Sequence, residues 1–415
     1  MAARRDGGEI LVGLDIGTTK VAAVVGEVTE RGIDVIGVGQ QMCKGFRRGT
    51  VINIDQTAAS IRAAVAEAAQ MSGCEIGVVH VGISGQHVQA LDSTGLVAVK
   101  GGEVTPDDVA RVLENARAQN LPRDREILHA VPQEYVIDDE PGIHEPVGMS
   151  GVRLEAKVHI VTGGASQIHN MLKCCALCDI EVAGVTLEHI AAAEATLQDD
   201  EKKLGVALVD IGGSLTNVAV YADGTLRHTA VVAMGGSHIS NDIRIGLRTV
   251  EEEAERIKRR YACALASMVD PEESINVPRV GHRPPDTVPR SALCSIVGPR
   301  VEEILTDVRR AIDASGFADV LNGGVVLTGG GACIAGLEEL AEQVMQMHGQ
   351  VRVGKPVGFG GMTGMVDSPM FATAVGLLLR AARRENGHDA AWTAKTRERE
   401  GNRGKRILEV LRQWF

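Results

Sequence analysis

Aromatic side chains are nearly absent: five Phe, three Tyr and two Trp make up 2% of the 415 residues. Base stacking has little to work with, and a net charge of −11 offers polyanions no general attraction. Nucleic acid is therefore excluded as a general partner. No run of about 18 apolar residues occurs, so no segment is fit to span a membrane as a helix. The opening MAARRDGGEI lacks the apolar core of a secretory signal, and the chain is expected to be made and kept in the cytosol. Of eight cysteines, only Cys175 and Cys178 form a C-x-x-C pair, and no second pair follows at zinc spacing. The surrounding IHNMLKCCALCDI reads as an apolar helix in which cysteine packs as a small hydrophobe.

Glycine, in contrast, is plentiful. Forty-nine glycines and 44% apolar residues fit a well-buried α/β protein with many tight turns. A chain this long is expected to fold as roughly two to four packed units. ILVGLDIG, VAAVVGEV and IDVIGVG predict three strands, DQTAASIRAAVAEAAQM predicts a helix over 55–71 with Asp55 as N-cap, and VVHVGIS predicts a strand over 78–84. The β-β-β-α order returns after residue 204 in GVALVDIG, NVAVYADG, TLRHTAVVAMG and SHISNDIRIGL, with a further helix within 249–268. Two similar folding units follow from that repetition. Between them, about 85–160, TPDDVARVLENARAQ opens with Thr and Pro at a helix start, and two strands complete a small α+β insertion. The loop 277–290 is proline-rich and expected to be exposed, ahead of a helix over 291–314. GQVRVGKP misses a Walker A motif because Pro356 stands where Ser or Thr is needed, and it reads as a strand exit.

Two segments carry chemistry. GLDIGTTK ends one predicted strand with Asp15, and VDIGGSLTN ends another with Asp210. Glycine lets backbone amides approach a phosphate closely, here at Gly17, Gly212 and Gly213, with hydroxyl donors at Thr18, Thr19 and Ser214. Lys20 adds a positive charge for the β/γ-phosphates. Asp15 and Asp210 are anionic, so their reasonable use is to hold waters of a Mg²⁺ ion or to orient an attacking water. Either loop alone could be an ordinary strand-to-turn connection. LTGGGA, with Gly329, Gly330 and Gly331, offers backbone that can lie against a base or ribose. Glu255 and Lys258, at i and i+3, could bond ribose hydroxyls or form a plain helical ion pair.

These three loops, D-x-G-T-T-K, D-I-G-G and T-G-G-G, resemble the phosphate-1, phosphate-2 and adenosine motifs of the actin/heat-shock-chaperone/sugar-kinase superfamily. Within it, HAVPQEYVID, PVGMSGVRLEAKVHIVT, GTLRHTAVVAMGG, VPRVGHRPP and VLTGGGACIAGLEELA are similar to segments of the FtsA family of actin-like bacterial division proteins. The resemblance implies an actin-like, two-lobed, duplicated ribonuclease H-like fold. Subdomain IA would cover 1–84 and 162–205, and an SHS2-type IC insertion 85–161. IIA would cover 206–245 and 323–385, with IIB at 246–322. It implies ATP with Mg²⁺ in the cleft, Gly235 and Gly236 lining the phosphates, and Glu255 and Lys258 at the ribose. One departure stands out: the second loop usually reads D-I-G-G-G-T-x-D, whereas Ser214, Leu215, Thr216 and Asn217 follow the glycines here. With the final acid replaced by an amide, at most weak ATP hydrolysis is expected.

Residues 386–402 read as a linker with an r.m.s. reach of about 20–25 Å. On a helix over 403–415, Ile407, Leu408, Val410, Leu411, Trp414 and Phe415 fall within an arc of roughly 160°, opposite Lys405, Arg406 and Arg412. That pattern fits an interfacial helix on an anionic membrane, although the helix could also pack on its own domain. The family resemblance implies an adaptor that tethers FtsZ polymers to the cytoplasmic face of the cell membrane at the division septum. The C-terminal peptide of FtsZ would meet IIB, where Arg279, Arg283 and Arg290 lie, while IC would serve the self-polymer and other division proteins. The rival readings are a sugar-kinase-type phosphotransferase, a chaperone ATPase and a pilus assembly protein of the PilM kind. For the kinase, no further acid in the cleft is identifiable from the sequence.

Overall fold

The computed structural model describes residues 8–118, 121–281 and 284–385. These residues fall into two compact units, one of 8–91, Leu121–Val131 and His159–Leu379, the other of 92–118, Pro132–Val158 and 380–385. The amphipathic segment 403–415 and Arg283 lie outside the described residues.

The first unit holds two sheets built to one plan. In one, the strands run in the order Glu181–Leu187, Val78–Ile83, Ile10–Ile16, Lys20–Thr29, Gly32–Met42 and Gly360–Gly361. In the other, the order is Thr225–Val232, Thr216–Ala222, Val206–Ile211, Val325–Thr328 and Val351–Val353. Ile10–Ile16 pairs antiparallel with the next strand in sequence and parallel with Val78–Ile83, and Val206–Ile211 repeats that pattern with Thr216–Ala222 and Val325–Thr328. Both lead strands are buried along their whole length, which is why they read as continuous apolar runs rather than alternating ones. One apolar cluster forms around Leu14, Ile61 and Val81 and takes in Val206, Leu208 and Val326 of the second sheet; another forms around Val209, Ile257 and Leu305.

The first long helix is Ile54–Ser72, capped by Asn53, whose side chain accepts the Gln56 amide. The expected cap Asp55 lies inside the first turn instead, where its charge still suits the helix dipole. Asn and Asp cap about equally well, so adjacent candidates are settled by the backbone entry angle. A short hairpin unseen in the sequence, Phe46–Arg47 with Thr50–Val51, precedes this helix. The loop at 277–290 is also more ordered than its prolines suggest. Ser274–Val277 and Asp286–Pro289 pair antiparallel because Ile275 and Val277 turn inward at alternate positions. Cys174 and Cys175 are fully buried in the helix Ala165–Ala176, and burial pushes the Cys175 thiol up to about 12. Val351–Val353 is a strand with no helix directly after Lys355, as Pro356 requires.

Helices Glu188–Thr196 and Ala372–Glu385 approach so closely that a Cβ on Gly376 would lie 1.7 Å from the Ala191 carbonyl oxygen. Backbone cannot yield as a side-chain tip can. Gly376→Ala should therefore lower the melting temperature by roughly 5–10 °C. Gly77→Ala, where nothing lies within 4 Å, should leave it unchanged. Equal melting temperatures for the two would show that this crossing is loosely packed.

In the second unit, Thr105 forms a full capping box with Asp108, and Pro106 opens the helix Pro106–Arg117. The sheet order is Gln89–Ala98, Arg153–Gly164, Arg125–Ile137 and Glu140–Ile143. Ser93 donates to the Ala116 carbonyl at 2.7 Å, and a Cβ on Gly95 would meet the Val112 carbonyl at 2.1 Å. Only glycine lets the helix sit this close to the strand.

Candidate functional site

Each lead strand ends in the same turn. Gly17 N–H donates to the Lys20 carbonyl at 2.9 Å, and Gly212 N–H donates to the Leu215 carbonyl at 2.9 Å. Both glycines stand two residues after an aspartate, so the duplication extends to single hydrogen bonds. The two loops also touch. Ser214 Oγ donates to Thr18 Oγ1 at 2.8 Å, and a Cβ on Gly213 would come within 2.7 Å of Thr19 Cγ2. Gly236 N–H bonds the Gly212 carbonyl at 2.9 Å and Ser237 N–H the Gly213 carbonyl at 2.6 Å, bracing the second loop from behind.

The third glycine loop reaches the same place. Parallel pairing of Asp210 with Thr328 sets Gly329 beside Asp210. Gly329 has φ +82°, and a Cβ there would fall 2.2 Å from Asp210 Oδ1. Glycine is needed both for the left-handed backbone and for the close approach. Lys258 Nζ binds Glu255 Oε2 at 2.7 Å, Ser240 Oγ at 2.9 Å and the Gly236 carbonyl at 3.0 Å. This is a partly buried network tied to the glycine turn rather than a solvated helical pair. Burial works against the Glu255 charge, but the Lys258 ammonium outweighs it and holds the carboxyl below its ordinary range.

Lys20 Nζ lies 2.8 Å from Asp15 Oδ2 and 5.8 Å from the Phe371 ring centroid. Asp15 and Asp210 are both buried. Burial and the Asp15 charge raise Asp210 to about 6, against the opposing pull of Lys20, Asn217 and Thr373. A third carboxylate joins them that the sequence did not disclose. Glu188 is the first residue of the helix Glu188–Thr196. The residue is half-buried, with protein packed closely about its carboxyl. That crowding, with the charges of Asp15 and Asp210, raises it to about 8 against the Ser84 hydrogen bond and Lys20. Ser84 Oγ donates to Glu188 Oε2 at 2.5 Å, and Asn217 Nδ2 stands 3.5 Å from the same oxygen. An acid at the start of a helix is commonplace, which is why Glu188 carried no signal on its own.

Asp15, Ser84, Glu188, Asp210 and Gly329 stand at or just beyond the carboxyl ends of parallel-paired strands, the usual ligand position in open α/β sheets. Three acidic groups share one lysine here, and a divalent cation would offset their negative charge as they ionise. No three or more His, Cys, Asp or Glu among the described residues converge into a direct metal cage. The donor set would suit Mg²⁺ held through retained waters, from which Asp15 and Asp210 would accept hydrogen bonds.

Two of the basic residues expected at the partner loop, Arg279 and Arg290, carry ion pairs. Arg279 pairs with Asp286 across the hairpin, and Arg290 binds Glu273 at 2.7 Å and the Tyr261 carbonyl at 2.9 Å. Each thus has an acidic partner close at hand, in pairs that remain partly open to solvent.

A family model for the cell division protein FtsA matches residues 207–376, and one for the SHS2 domain inserted in FtsA matches residues 85–162. FtsA of Pseudomonas aeruginosa is 44% identical over 408 residues, covering 98% of this chain and 97% of its own length. FtsA of Escherichia coli K12 is 37% identical over 415 residues, covering 98% of each. Among solved structures, the PilM-PilN type IV pilus biogenesis complex aligns with TM-score 0.65 at 16% identity, over 89% of this chain and 98% of that one. MreB 5 of Spiroplasma citri bound to AMPPNP aligns with TM-score 0.55 at 12% identity, over 93% and 100%. These two likenesses concern the actin-like fold alone. With near-full-length relatives of one kind and both family models in place, the chain belongs to the FtsA family of cell division proteins.

Proposed function

We propose that this division protein is an ATP-binding, actin-like adaptor that tethers FtsZ polymers to the cytoplasmic face of the cell membrane and helps recruit later division proteins. The observation that carries the nucleotide part is the pair of identical turns, Gly17 to Lys20 and Gly212 to Leu215, which meet over Asp15, Glu188 and Asp210. Amides and hydroxyls of the two loops would hold the phosphates, Lys20 would offset their charge, and the Gly329–Gly331 backbone would face the nucleoside. Mg²⁺, when bound, would neutralise the phosphates and polarise them. Glu188 is the group placed to orient an attacking water and, once Mg²⁺ or a pH above about 8 has ionised its carboxyl, to take the water proton. The amide of Asn217 in place of an acid supports slow turnover, so that ATP acts mainly as an assembly ligand.

The tethering part rests on the residue pattern of 403–415. Six apolar side chains could contribute on the order of 10 kcal/mol gross, much of it offset by ordering a helix too short to persist in water. One tail would bind weakly, and a polymer displaying many would bind through avidity. FtsZ recruitment would use the 246–322 subdomain, and self-assembly the SHS2 insertion. Full-length protein should bring FtsZ down with anionic liposomes, whereas a truncation ending at Glu385 should not. Undiminished recruitment by the truncated chain would sink the tether.

A further inference from the structure

We propose that Ser84 is a positioning residue: its hydroxyl orients the Glu188 carboxylate for hydrolysis of the bound nucleotide, and the hairpin Phe46–Val51 in turn holds Ser84. The inference rests on the nucleotide reading of the cleft given above. Its starting point is sheet register. Val78–Ile83 and Glu181–Leu187 pair parallel with Ile83 opposite Leu187, so the next residues of each strand, Ser84 and Glu188, emerge side by side. Residues 104 apart in sequence thereby meet at 2.5 Å, with Ser84 itself 5% exposed. Asn217 Nδ2 reaches the same carboxylate oxygen only at 3.5 Å, a weak contact, which leaves Ser84 as the strong donor there. A hydroxyl donating to a carboxylate favours its charged form and fixes its plane.

Ser84 is itself held from outside the cleft. Gly49, with φ +75°, lies under the Ser84–Gly85 turn so closely that a Cβ would be 2.2 Å from the Ser84 carbonyl oxygen and 2.4 Å from Gly85 Cα. The His87 ring nitrogen Nε2 lies 3.3 Å from the Gly49 carbonyl, while Arg125 donates to the His87 carbonyl at 2.9 Å. A surface hairpin is thus wired through Gly49 and Ser84 to the carboxylate that faces the reacting phosphate. In the step served, the water oxygen bonds the γ-phosphorus and the bond from that phosphorus to the β–γ bridging oxygen breaks. ADP leaves with the electron pair, and the water proton passes to the ionised Glu188 carboxylate.

The test is single-turnover hydrolysis of Mg²⁺–[γ-³²P]ATP by excess full-length protein, alongside equilibrium affinity for the same nucleotide. Ser84→Ala should slow hydrolysis about tenfold while Kd stays within about twofold. Ser84→Thr, which keeps the hydroxyl, should recover most of the rate. In a Glu188→Gln background, Ser84→Ala should cost nothing further, because the group it positions is gone. Gly49→Ala should reproduce the rate loss of Ser84→Ala without touching any ligand. A Ser84→Ala rate equal to the unsubstituted one, a loss that follows affinity, or a full further loss in the Glu188→Gln background would overturn the inference. So would an unsubstituted chain that binds ATP and never hydrolyses it. A chain that binds no ATP would overturn the cleft reading as well.

Discussion

Lys20→Ala should lower the affinity for Mg²⁺–ATP by about 100-fold, or about 2.7 kcal/mol. Lys20 is the cation that offsets both Glu188 and Asp210, and it pairs with Asp15 at 2.8 Å. Its removal leaves three acids facing an anionic ligand, so the loss combines a missing charge-assisted bond with uncompensated repulsion. Lys20→Arg should retain part of the affinity, since the charge survives while the compact ammonium does not. Titration calorimetry reads both values. Unchanged affinity in Lys20→Ala would sink the assignment of the first loop to phosphate.

Glu188→Gln should make the ligand-free protein more stable at pH 8 while slowing hydrolysis by about 100-fold or more. In the folded chain this carboxyl keeps its proton up to about pH 8, whereas an unfolded glutamate releases it near 4.3. Between those values the folded state binds more protons than the unfolded one, so stability falls as pH rises through the window. Asp210 adds a smaller contribution of the same sign, complete by about pH 6. Replacing the acid by a neutral amide removes the largest part of this slope. The gain at pH 8 should be on the order of a few kcal/mol. Melting temperatures from pH 5 to 8.5 would show a falling curve for the unsubstituted chain and a flatter one for Glu188→Gln. Parallel curves would mean that Glu188 titrates normally and the cleft is better hydrated than its packing implies. A site residue whose removal stabilises the fold is what a destabilised catalytic arrangement predicts.

The two aspartate-glycine loops, the strand order of each half and the Thr105–Pro106 helix start were readable from the chain because each is local chemistry. A glycine two residues after a strand-end acid, or a hydroxyl before a proline, announces itself within a few positions. Asn53 displacing Asp55 as cap, and the pairing of Ser274–Val277 with Asp286–Pro289, were less readable, since neighbouring residues of nearly equal propensity are separated only by packing. The ion pairing of Arg279 and Arg290 was not readable at all: their partners Asp286 and Glu273 are brought within reach by cross-strand register.

By itself, then, the sequence determined that two duplicated units present glycine turns and one acid each, and that a basic, apolar segment ends the chain. Only the tertiary structure decided what stands between those acids. Glu188 is an unremarked helix-start residue until parallel pairing of Ile83 with Leu187 sets it beside Ser84, and until the second sheet brings Asn217 and Asp210 against it. A residue's chemistry here comes from neighbours 29 and 104 positions away, and burial turns that proximity into a shifted pKa. No short window of sequence contains that information.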